Sequence, residues 1–510
     1  MSEPGVVDAA PAAIELDGID KRFGAVHANR AIDLRVAAGS VHGIVGENGA
    51  GKSTLMNILY GFYRADSGTI RVDGQELRIN GPEDAIRAGI GMVHQHFMLI
   101  EPFTVLENLL LGAEGGWRLA PGRAQARAEI ERLEQEYRLQ VDLDARIRDL
   151  SVGLQQRVEI LKALYRGARI LILDEPTGVL TPQEADELFR ILGDLRAQGR
   201  TVILITHKLR EIMAITDRVS VMRQGAMVAH RATVETSTAE LAELMVGRKV
   251  LLRVEKGEAH PREPVLAVEH VAVRDGNGVV RVDDASLQVR AGEIVGIAGV
   301  SGNGQTELLE AIAGIRPVAA GVIRVAGEPV VAGARLASMG HVPEDRLRMG
   351  LVRSFPAWEN AILGHQKVAA YGPGAFLDRA TIIGYCKRWM QGYDVRPGDP
   401  ELAATSFSGG NQQKQVVARE VEHDPILLLI GQPTRGVDIG AIEFIHQRLV
   451  ELRDAGKAVL LVSVELDEIM GLADRILVMC GGKLTGQVDA KDADERRIGL
   501  MMAGVTETAA

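Results

Sequence analysis

The feature that most constrains the fold is an internal repeat, because the same motifs return in the same order in the second half of the chain. Residues 37–54, AAGSVHGIVGENGAGKST, align with residues 290–307, RAGEIVGIAGVSGNGQTE. Two further motif pairs follow in the same order: LENLLLG at 106–112 with WENAILG at 358–364, and LSVGLQQ at 150–156 with FSGGNQQ at 407–413. We therefore predict two like domains in tandem, rather than three unlike ones, for a chain of 510 residues.

The repeat also sets the predicted domain boundaries. We predict domains at residues 14–247 and 264–504, which end in the matching segments LMVG and LMMAG. The charged residues 248–263 are predicted to form a linker, residues 1–13 a disordered N-terminus and residues 505–510 a C-terminal tail. Short apolar strands alternate with helical stretches in both halves, which indicates an α/β fold with a mostly parallel sheet. Helical periodicity ahead of LSVGLQQ and FSGGNQQ predicts a helical subdomain inserted into each domain.

Composition excludes several classes of protein. The net charge of −10 provides no basic surface for nucleic acid. Only Cys386 and Cys480 are present, which excludes a disulfide framework or a cysteine zinc site and fits a reducing cytoplasm. The N-terminus lacks the features of a signal peptide. No run of about 18 apolar residues occurs, so we predict no direct insertion into a bilayer.

The first half contains a phosphate-binding P-loop. The sequence GENGAGKST follows an apolar strand-like run and matches G-x-x-x-x-G-K-[ST], in which glycines bring backbone N–H groups against phosphate oxygens. Lys52 supplies a cation for the outer phosphates, and the Ser53 hydroxyl is a candidate ligand of Mg²⁺. The chain is therefore predicted to bind a nucleoside triphosphate with Mg²⁺. The loop residues predicted to bind it are Gly46, Glu47, Asn48, Gly49, Ala50, Gly51, Lys52, Ser53 and Thr54.

Polar residues follow three apolar strands of the first half. Asp174 and Glu175 come at the end of ARILILD, where Asp174 is placed to hold Mg²⁺ and Glu175 to activate a water molecule. His207 ends TVILITH and is placed to hydrogen bond the γ-phosphate. Gln95 follows the strand IGMV, so its amide oxygen is a candidate ligand of Mg²⁺ or of the attacking water. These residues together predict hydrolysis of the nucleotide.

Taken in chain order, the motifs resemble those of ABC-type ATPases. The P-loop resembles Walker A, Gln95 the Q-loop, LSVGLQQ the signature, LILDEP Walker B and His207 the H-loop. The resemblance implies two tandem P-loop ABC ATPase domains, each with a mostly parallel sheet, an antiparallel β portion and an inserted helical subdomain. It also implies that Phe23 stacks on adenine. The implied catalytic residues are Glu175, His207 and Gln95, and the implied Mg²⁺ ligands are Ser53, Gln95 and Asp174.

The second half departs from this pattern at most catalytic positions. Aligning the halves pairs Lys52 with Gln305, Asp174 with Gly431, Glu175 with Gln432, His207 with Val464 and Phe23 with Gly276. PEDR at residues 343–346 replaces Gln95. Loss of a general base alone lowers a rate by about 10²–10⁴-fold. Because the lysine, the metal-binding carboxylate and the base are all missing, we predict no hydrolysis at this second site. The signature is intact, with Ser408, Gly409, Gly410 and Gln412.

ABC ATPase domains pair head to tail, and the resemblance therefore implies two unequal nucleotide sites. The first combines the complete P-loop half with the signature residues Ser408, Gly409, Gly410 and Gln412. The degenerate second site combines Ser301, Gly302, Asn303, Gly304, Gln305 and Thr306 with Ser151 and Gly153. We predict one hydrolytic site per chain.

The tandem form resembles the ATP-binding subunits of carbohydrate and nucleoside importers, and IGMVHQHFML, VLTPQE and QPTRGVDIGA favour the nucleoside branch. The implied function is an ATPase that drives import through two separate permease subunits, served by a solute-binding lipoprotein, at the cytoplasmic face of the membrane. A ribose- or galactose-type importer ATPase is the alternative. A soluble ABC protein acting on ribosomes or DNA is disfavoured, because it would carry two competent sites with a longer basic linker, or coiled-coil or zinc insertions. An exporter would need transmembrane segments or separate membrane subunits.

Overall fold

The computed structural model describes residues 11–24, 26–94, 97–112, 119–178, 180, 182–249, 254, 256–372 and 376–504. The chain divides into two compact units, Met1–Val250 and Leu251–Ala510. No helix in these ranges is both long and apolar enough to cross a membrane.

The first unit contains one mixed sheet, one antiparallel sheet and surrounding helices. Its strands are β1 (Ala12–Phe23), β2 (Val26–Ala37), β3 (Val41–Gly46), β4 (Ser67–Val72), β5 (Gln75–Glu76), β6 (Ile90–Val93), β7 (Ile170–Asp174), β8 (Thr201–Ile205), β9 (Arg218–Arg223) and β10 (Ala226–Ala232). Its α-helices are α1 (Lys52–Tyr60), α2 (Pro82–Arg87), α3 (Val105–Leu110), α4 (Leu119–Tyr137), α5 (Val152–Tyr165), α6 (Pro182–Ala197), α7 (Leu209–Ile215) and α8 (Thr238–Val246).

The mixed sheet brings the predicted site residues to one edge. Its strand order is β10-β9-β3-β8-β7-β6, in which β6 to β9 and β3 are parallel and β10 is antiparallel. Every residue of β3, β7 and β8 is buried, as expected for parallel strands covered on both faces. Because β3, β8 and β7 are neighbours, the P-loop, His207 and Asp174 leave the sheet at the same carboxyl edge, where α/β folds place their ligands.

The helical insertion lies between β6 and β7. Thr104 begins α3 with a capping box, because its hydroxyl accepts from the Glu107 N–H while Glu107 accepts from the Thr104 N–H. Ser151 caps α5 without a capping box, because its hydroxyl accepts from the N–H of Leu154 and leucine has no group to bond back. An antiparallel sheet of order β2-β1-β4-β5 completes the unit.

The second unit repeats this architecture. Its strands are β11 (Pro264–Arg274), β12 (Val280–Arg290), β13 (Ile294–Ala298), β14 (Ala320–Val325), β15 (Glu328–Pro329), β16 (Met339–Val342), β17 (Leu427–Gly431), β18 (Ala458–Ser463), β19 (Arg475–Cys480) and β20 (Lys483–Asp489). Its α-helices are α9 (Gln305–Ile312), α10 (Ala357–Ala361), α11 (Arg379–Gly392), α12 (Gly409–Val421), α13 (Ile439–Asp454), α14 (Leu466–Leu472) and α15 (Glu495–Met502). The sheets have the orders β12-β11-β14-β15 and β16-β17-β18-β13-β19-β20. The predicted fold class is therefore confirmed in both halves.

Two details differ from the sequence expectations for the chain ends and linker. β1 begins at Ala12, two residues before the predicted domain start at residue 14, because Ala13 is buried in the core. Within the predicted linker, Lys256 donates from its ammonium group to the carbonyl of Leu472 at 3.0 Å, and Arg453 donates to the carbonyl of Gly257 at 3.0 Å. The end of the linker therefore packs on the second unit. Residues 1–10, 250–253, 255 and 505–510 lie outside the described residues.

Candidate active site

The conformation of the P-loop in the first unit is fixed by close packing of Gly51 against the backbone of β2. Gly51 precedes α1 with φ of 100°, a left-handed conformation that favours glycine. A Cβ at this position would lie 2.3 Å from the carbonyl oxygen of Ala28, so no larger residue fits. The side-chain amide of Asn29 donates to the Gly51 carbonyl at 3.1 Å and fixes the loop against β2. The first N–H groups of an α-helix have no partner within the helix, so the start of α1 is suited to bind an anion.

Lys52 is buried at the start of α1, with 6% of its side chain exposed. Its ammonium group donates to the carbonyls of Gly46 at 2.6 Å and Glu47 at 3.0 Å, at the start of the P-loop. Burial lowers the pKa of Lys52, and the nearby carboxylates of Glu175 and Asp174 oppose that shift. A buried ammonium group next to the P-loop backbone is suited to bind the outer phosphates of a nucleotide.

Glu175 and His207 form a close pair at the sheet edge. His207 Nδ1 lies 3.0 Å from Glu175 Oε1, and this hydrogen bond lowers the pKa of Glu175 against the effect of burial. Glu175 has φ of +48°, a strained conformation for a residue with a side chain, and its N–H donates to the carbonyl of Ile205 at 2.8 Å. An ionised carboxylate in this position is able to accept a proton from water.

Asp174 and Ser53 provide oxygen ligands next to this pair. Asp174 is 8% exposed, and burial raises its pKa while a hydrogen bond from the Ser53 hydroxyl opposes that rise. A carboxylate and a hydroxyl that lie next to each other beside the P-loop are suited to bind a hard cation such as Mg²⁺. Gln95, the third predicted ligand, lies outside the described residues. Within the described ranges, no group of three or more His, Cys, Asp or Glu side chains is arranged to hold a metal ion.

Phe23 stands at the end of β1 with 43% of its surface exposed. Its ring packs edge to face against Tyr63, with centroids 5.1 Å apart, and the Lys21 ammonium group lies 5.5 Å from the ring centroid. An exposed aromatic ring that is held by a neighbouring ring offers a stacking surface for a base. Sequence reasoning did not identify Tyr63, because the pair is formed between residues that are 40 positions apart.

The second unit preserves the shape of the P-loop with different chemistry. Gly304 has φ of 101°, and a Cβ there would lie 2.3 Å from the carbonyl oxygen of Arg281, as at the first loop. Gln305 takes the place of the lysine and donates from its amide to the carbonyl of Val300 at 3.1 Å. The Thr306 hydroxyl donates to the carboxylate of Glu344, which belongs to the PEDR segment. The loop therefore keeps its backbone but has a neutral amide where the first has a cation.

The remaining members of this loop are also placed at the sheet edge of the second unit. Asn303 Oδ1 accepts from the N–H of Gly481 at 3.0 Å, and the Asn303 carbonyl accepts from the N–H of Gly482. Ser301 and Gly302 lie in the turn between β13 and α9.

The Glu175–His207 pair is also replaced in the second unit. Gln432 keeps the strained backbone, with φ of +47°, and its side-chain oxygen accepts from the N–H of Val464 at 3.2 Å. In the second unit, a hydrogen bond from a backbone N–H to the Gln432 side chain thus replaces the side-chain pair of Glu175 and His207. Neither Gln432 nor Val464 has a side chain that is able to take a proton from water.

The two signature segments open equivalent helices, each within its own unit. Ser408 caps α12 by accepting from the Asn411 N–H at 3.4 Å, as Ser151 caps α5. Gln412 is 8% exposed and donates to the carbonyl of Ala404 at 2.9 Å. Arg346, at the end of PEDR, donates to Gln412 Oε1 at 3.5 Å and to the carbonyl of Arg435 at 2.7 Å. Sequence reasoning did not find this link between PEDR and the signature helix.

Gly409, Gly410 and Gly153 lie in the first turns of these helices. A Cβ at Gly410 would lie 2.4 Å from a carboxylate oxygen of Asp438, and a Cβ at Gly153 would lie 2.6 Å from a carboxylate oxygen of Glu184. Each helix therefore begins with a serine cap and a glycine that packs against a carboxylate.

A duplicated α/β unit with a P-loop, a buried lysine and a carboxylate–histidine pair is the architecture of a nucleotide-hydrolysing protein. The ABC transporter family matches residues 30–178 and 282–435, and the chain belongs to that family. It binds ATP and is an ATPase.

The relatives that match over nearly the full length of the chain include three import ATP-binding proteins. The guanosine import ATP-binding protein NupO of Bacillus subtilis is 47% identical over 97% of this chain and 98% of the relative. The nucleoside import ATP-binding protein NupA of Lactococcus lactis is 46% identical over 96% of this chain and 98% of the relative. The glucose import ATP-binding protein TsgD13 of Haloferax volcanii is 45% identical over 96% of both.

Proposed function

We propose that this chain is the ATP-hydrolysing subunit of an importer complex and that it hydrolyses ATP at one site. The observation that carries the single-site proposal is the contrast between the two units. The first has Lys52, Asp174 and the Glu175–His207 pair, whereas the second has Gln305, Gly431 and Gln432 in the corresponding places.

Each side chain of the first site has a distinct task in this proposal. Lys52 binds the outer phosphates, Glu175 accepts a proton from the attacking water, and His207 contacts the γ-phosphate while orienting Glu175. Ser53 and Asp174, with Gln95, hold Mg²⁺, which neutralises charge on the phosphates when it is bound. Phe23 stacks on the adenine ring. These roles are consistent with the buried cation and the ionised carboxylate at the sheet edge.

The signature of the second unit is proposed to complete the first site. In this arrangement Ser408, Gly409 and Gly410 contribute a helix N-terminus to the γ-phosphate. The Gln305 loop and the segment with Ser151 and Gly153 would form a second site that holds nucleotide without hydrolysing it. The proposal rests on the head-to-tail pairing of the family.

Matched substitutions at the two signature serines test this arrangement. Ser408→Arg is expected to lower ATP hydrolysis by about 10²-fold, the scale of losing a donor to transition-state charge. Ser151→Arg removes an equivalent helix cap, which costs about 1 kcal/mol in either unit, but it is expected to leave most of the activity. Steady-state phosphate release measures both variants. Equal losses in the two variants would reject the composite first site.

The partners follow from the importer proposal. We infer two integral-membrane permeases, a solute-binding lipoprotein and a peripheral location at the cytoplasmic face of the membrane, with no nucleic acid. A groove of about 230 Å³ in the first unit is lined by Tyr60, Phe62, His94 and Met98, and His94 directly precedes Gln95 in the sequence. A groove of about 370 Å³ in the second unit includes Pro343 and borders PEDR. Both grooves are proposed to receive permease loops.

The proposed cargo is a nucleoside. Two of the three relatives are named for guanosine or nucleoside import and one for glucose import, so a simple sugar is the competing cargo. An ATP-binding subunit does not have to touch the cargo, and the test therefore uses the solute-binding protein of the same proposed importer. Calorimetric titration with guanosine, adenosine, ribose and glucose is expected to show binding of nucleosides. Binding of a sugar alone would reject a nucleoside cargo.

A further inference from the structure

A buried carboxylate lies behind the catalytic pair and is not used by the proposed chemistry. Glu211 is in the first turn of α7, four residues after His207, and only 7% of it is exposed. The hydroxyl of Thr177, two residues after Glu175, donates to Glu211 Oε1, and Thr177 is itself buried. The carboxylate therefore connects the loop that follows Glu175 with the helix that follows His207.

A second threonine joins the same cluster. Thr206, which directly precedes His207, is 1% exposed, and its hydroxyl accepts from the Lys208 N–H at 3.0 Å. Burial raises the pKa of the Glu211 carboxyl, and the Lys208 ammonium group and the hydroxyls of Thr177 and Thr206 oppose that rise. Both loops that carry the catalytic pair thus interact with one carboxylate.

The catalytic loop needs such support because its backbone is strained. Glu175 has φ of +48°, and a conformation of this kind persists only where the surroundings fix it. On one side of the loop, the Gln156 amide donates to the carbonyl of Pro176 at 2.9 Å. On the other side, the fixed point is the contact between Thr177 and Glu211.

The second unit provides an internal comparison. Glu468 occupies the position of Glu211, 257 residues later, and is also buried, with 5% exposed. Its partner is His446 of α13, whose Nε2 lies 2.8 Å from Glu468 Oε1. In the first unit the corresponding position of α6 is Phe189, which has no hydrogen-bonding group. A buried carboxylate and a threonine, Thr177 or Thr434, are thus common to both units. Among the hydrogen bonds of the described residues, however, the threonine bonds to the carboxylate in the unit with the catalytic pair, whereas Glu468 bonds to His446.

We propose that Glu211 is a positioning residue for ATP hydrolysis, which holds the loop after Glu175 against the segment that carries His207. The inference rests on the proposed hydrolytic site in the first unit. Because Glu211 acts through Thr177, its loss is expected to lower kcat more than it changes KM for ATP, since the phosphate-binding loop is untouched.

The decisive measurement is steady-state ATP hydrolysis by the full chain. Glu211→Ala is expected to lower kcat by about 10- to 100-fold, the scale of displacing a catalytic group by about 1 Å. Glu211→Gln keeps an oxygen that accepts from Thr177, and it is expected to retain most of the activity. Thr177→Val removes the donor without changing the volume greatly and should reproduce much of the loss.

Glu468→Ala is the matched control, because it removes an equally buried carboxylate from the unit without the catalytic pair. It is expected to lower thermal stability to a similar extent as Glu211→Ala, with kcat retained. Equal kcat in Glu211→Ala and the unaltered chain would overturn the inference, as would a loss of kcat in Glu468→Ala as large as that in Glu211→Ala. If Glu211→Ala does not fold, undiminished kcat in Thr177→Val would overturn it. Failure of the unaltered chain to hydrolyse ATP would instead reject the proposed function.

Discussion

Replacement of Glu175 by glutamine is expected to lower the rate of ATP hydrolysis by about 10²–10⁴-fold, the contribution of a positioned general base. The amide keeps the volume of the side chain and an oxygen for His207 Nδ1, which lies 3.0 Å from Glu175 Oε1. It is unable to accept a proton from water, however, so binding of ATP should survive while turnover is lost. Phosphate release measures turnover, and equilibrium binding of a fluorescent ATP analogue measures the nucleotide affinity.

Gln432 offers the matched control for this experiment, because it has the same left-handed backbone, with φ of +47° against +48° at Glu175. Gln432→Ala should leave hydrolysis close to that of the unaltered chain, and Gln432→Glu should add no activity, since Gln305 and Gly431 leave that site without a cation or a metal-binding carboxylate. Substantial hydrolysis by Glu175→Gln would show that a second site turns over and would reject the single-site proposal.

Much of the fold follows from the sequence because the apolar runs and the glycine-rich turns that follow them occur at equivalent positions in both halves. The apolar runs VHGIVG and IVGIA each precede a glycine-rich turn, and they form β3 and β13, which are central strands of equivalent sheets. The alignment of the two halves also predicts which side chains occupy equivalent places. The amide of Gln305 donates to Val300 much as the ammonium group of Lys52 donates to Glu47.

The parts of the site that motifs do not reveal depend on contacts between distant residues. Glu211 meets Thr177 across 34 positions, and Tyr63 meets Phe23 across 40. Neither pair has a spacing that helical or strand periodicity would indicate, because each is created by the order of strands in the sheets. Arg346 also belongs to a segment whose sequence shows only the loss of the Gln95 motif, yet it bonds to the signature helix.

Replacement of Lys52 by glutamine is expected to give the first P-loop the chemistry of the second. The loop backbone should persist, because Gln305 already occupies the same position beside Gly304 and donates to Val300 at 3.1 Å. A hydrogen bond to a charged group contributes about 1.5–3 kcal/mol, which corresponds to a loss of about 10- to 100-fold in ATP affinity. Loss of the cation near the developing charge should lower kcat by about 10²–10³-fold in addition.

The control for this variant is Gln305→Ala, which removes the corresponding side chain from the second loop and should have a much smaller effect on turnover. Thermal unfolding separates site effects from folding effects, since Lys52 is buried with 6% exposed and its amide replacement removes a desolvated charge. Lys52→Gln should therefore be at least as stable as the unaltered chain without nucleotide, but less stabilised by added ATP. Retention of both hydrolysis and stabilisation by ATP would show that the cation is not what distinguishes the two loops.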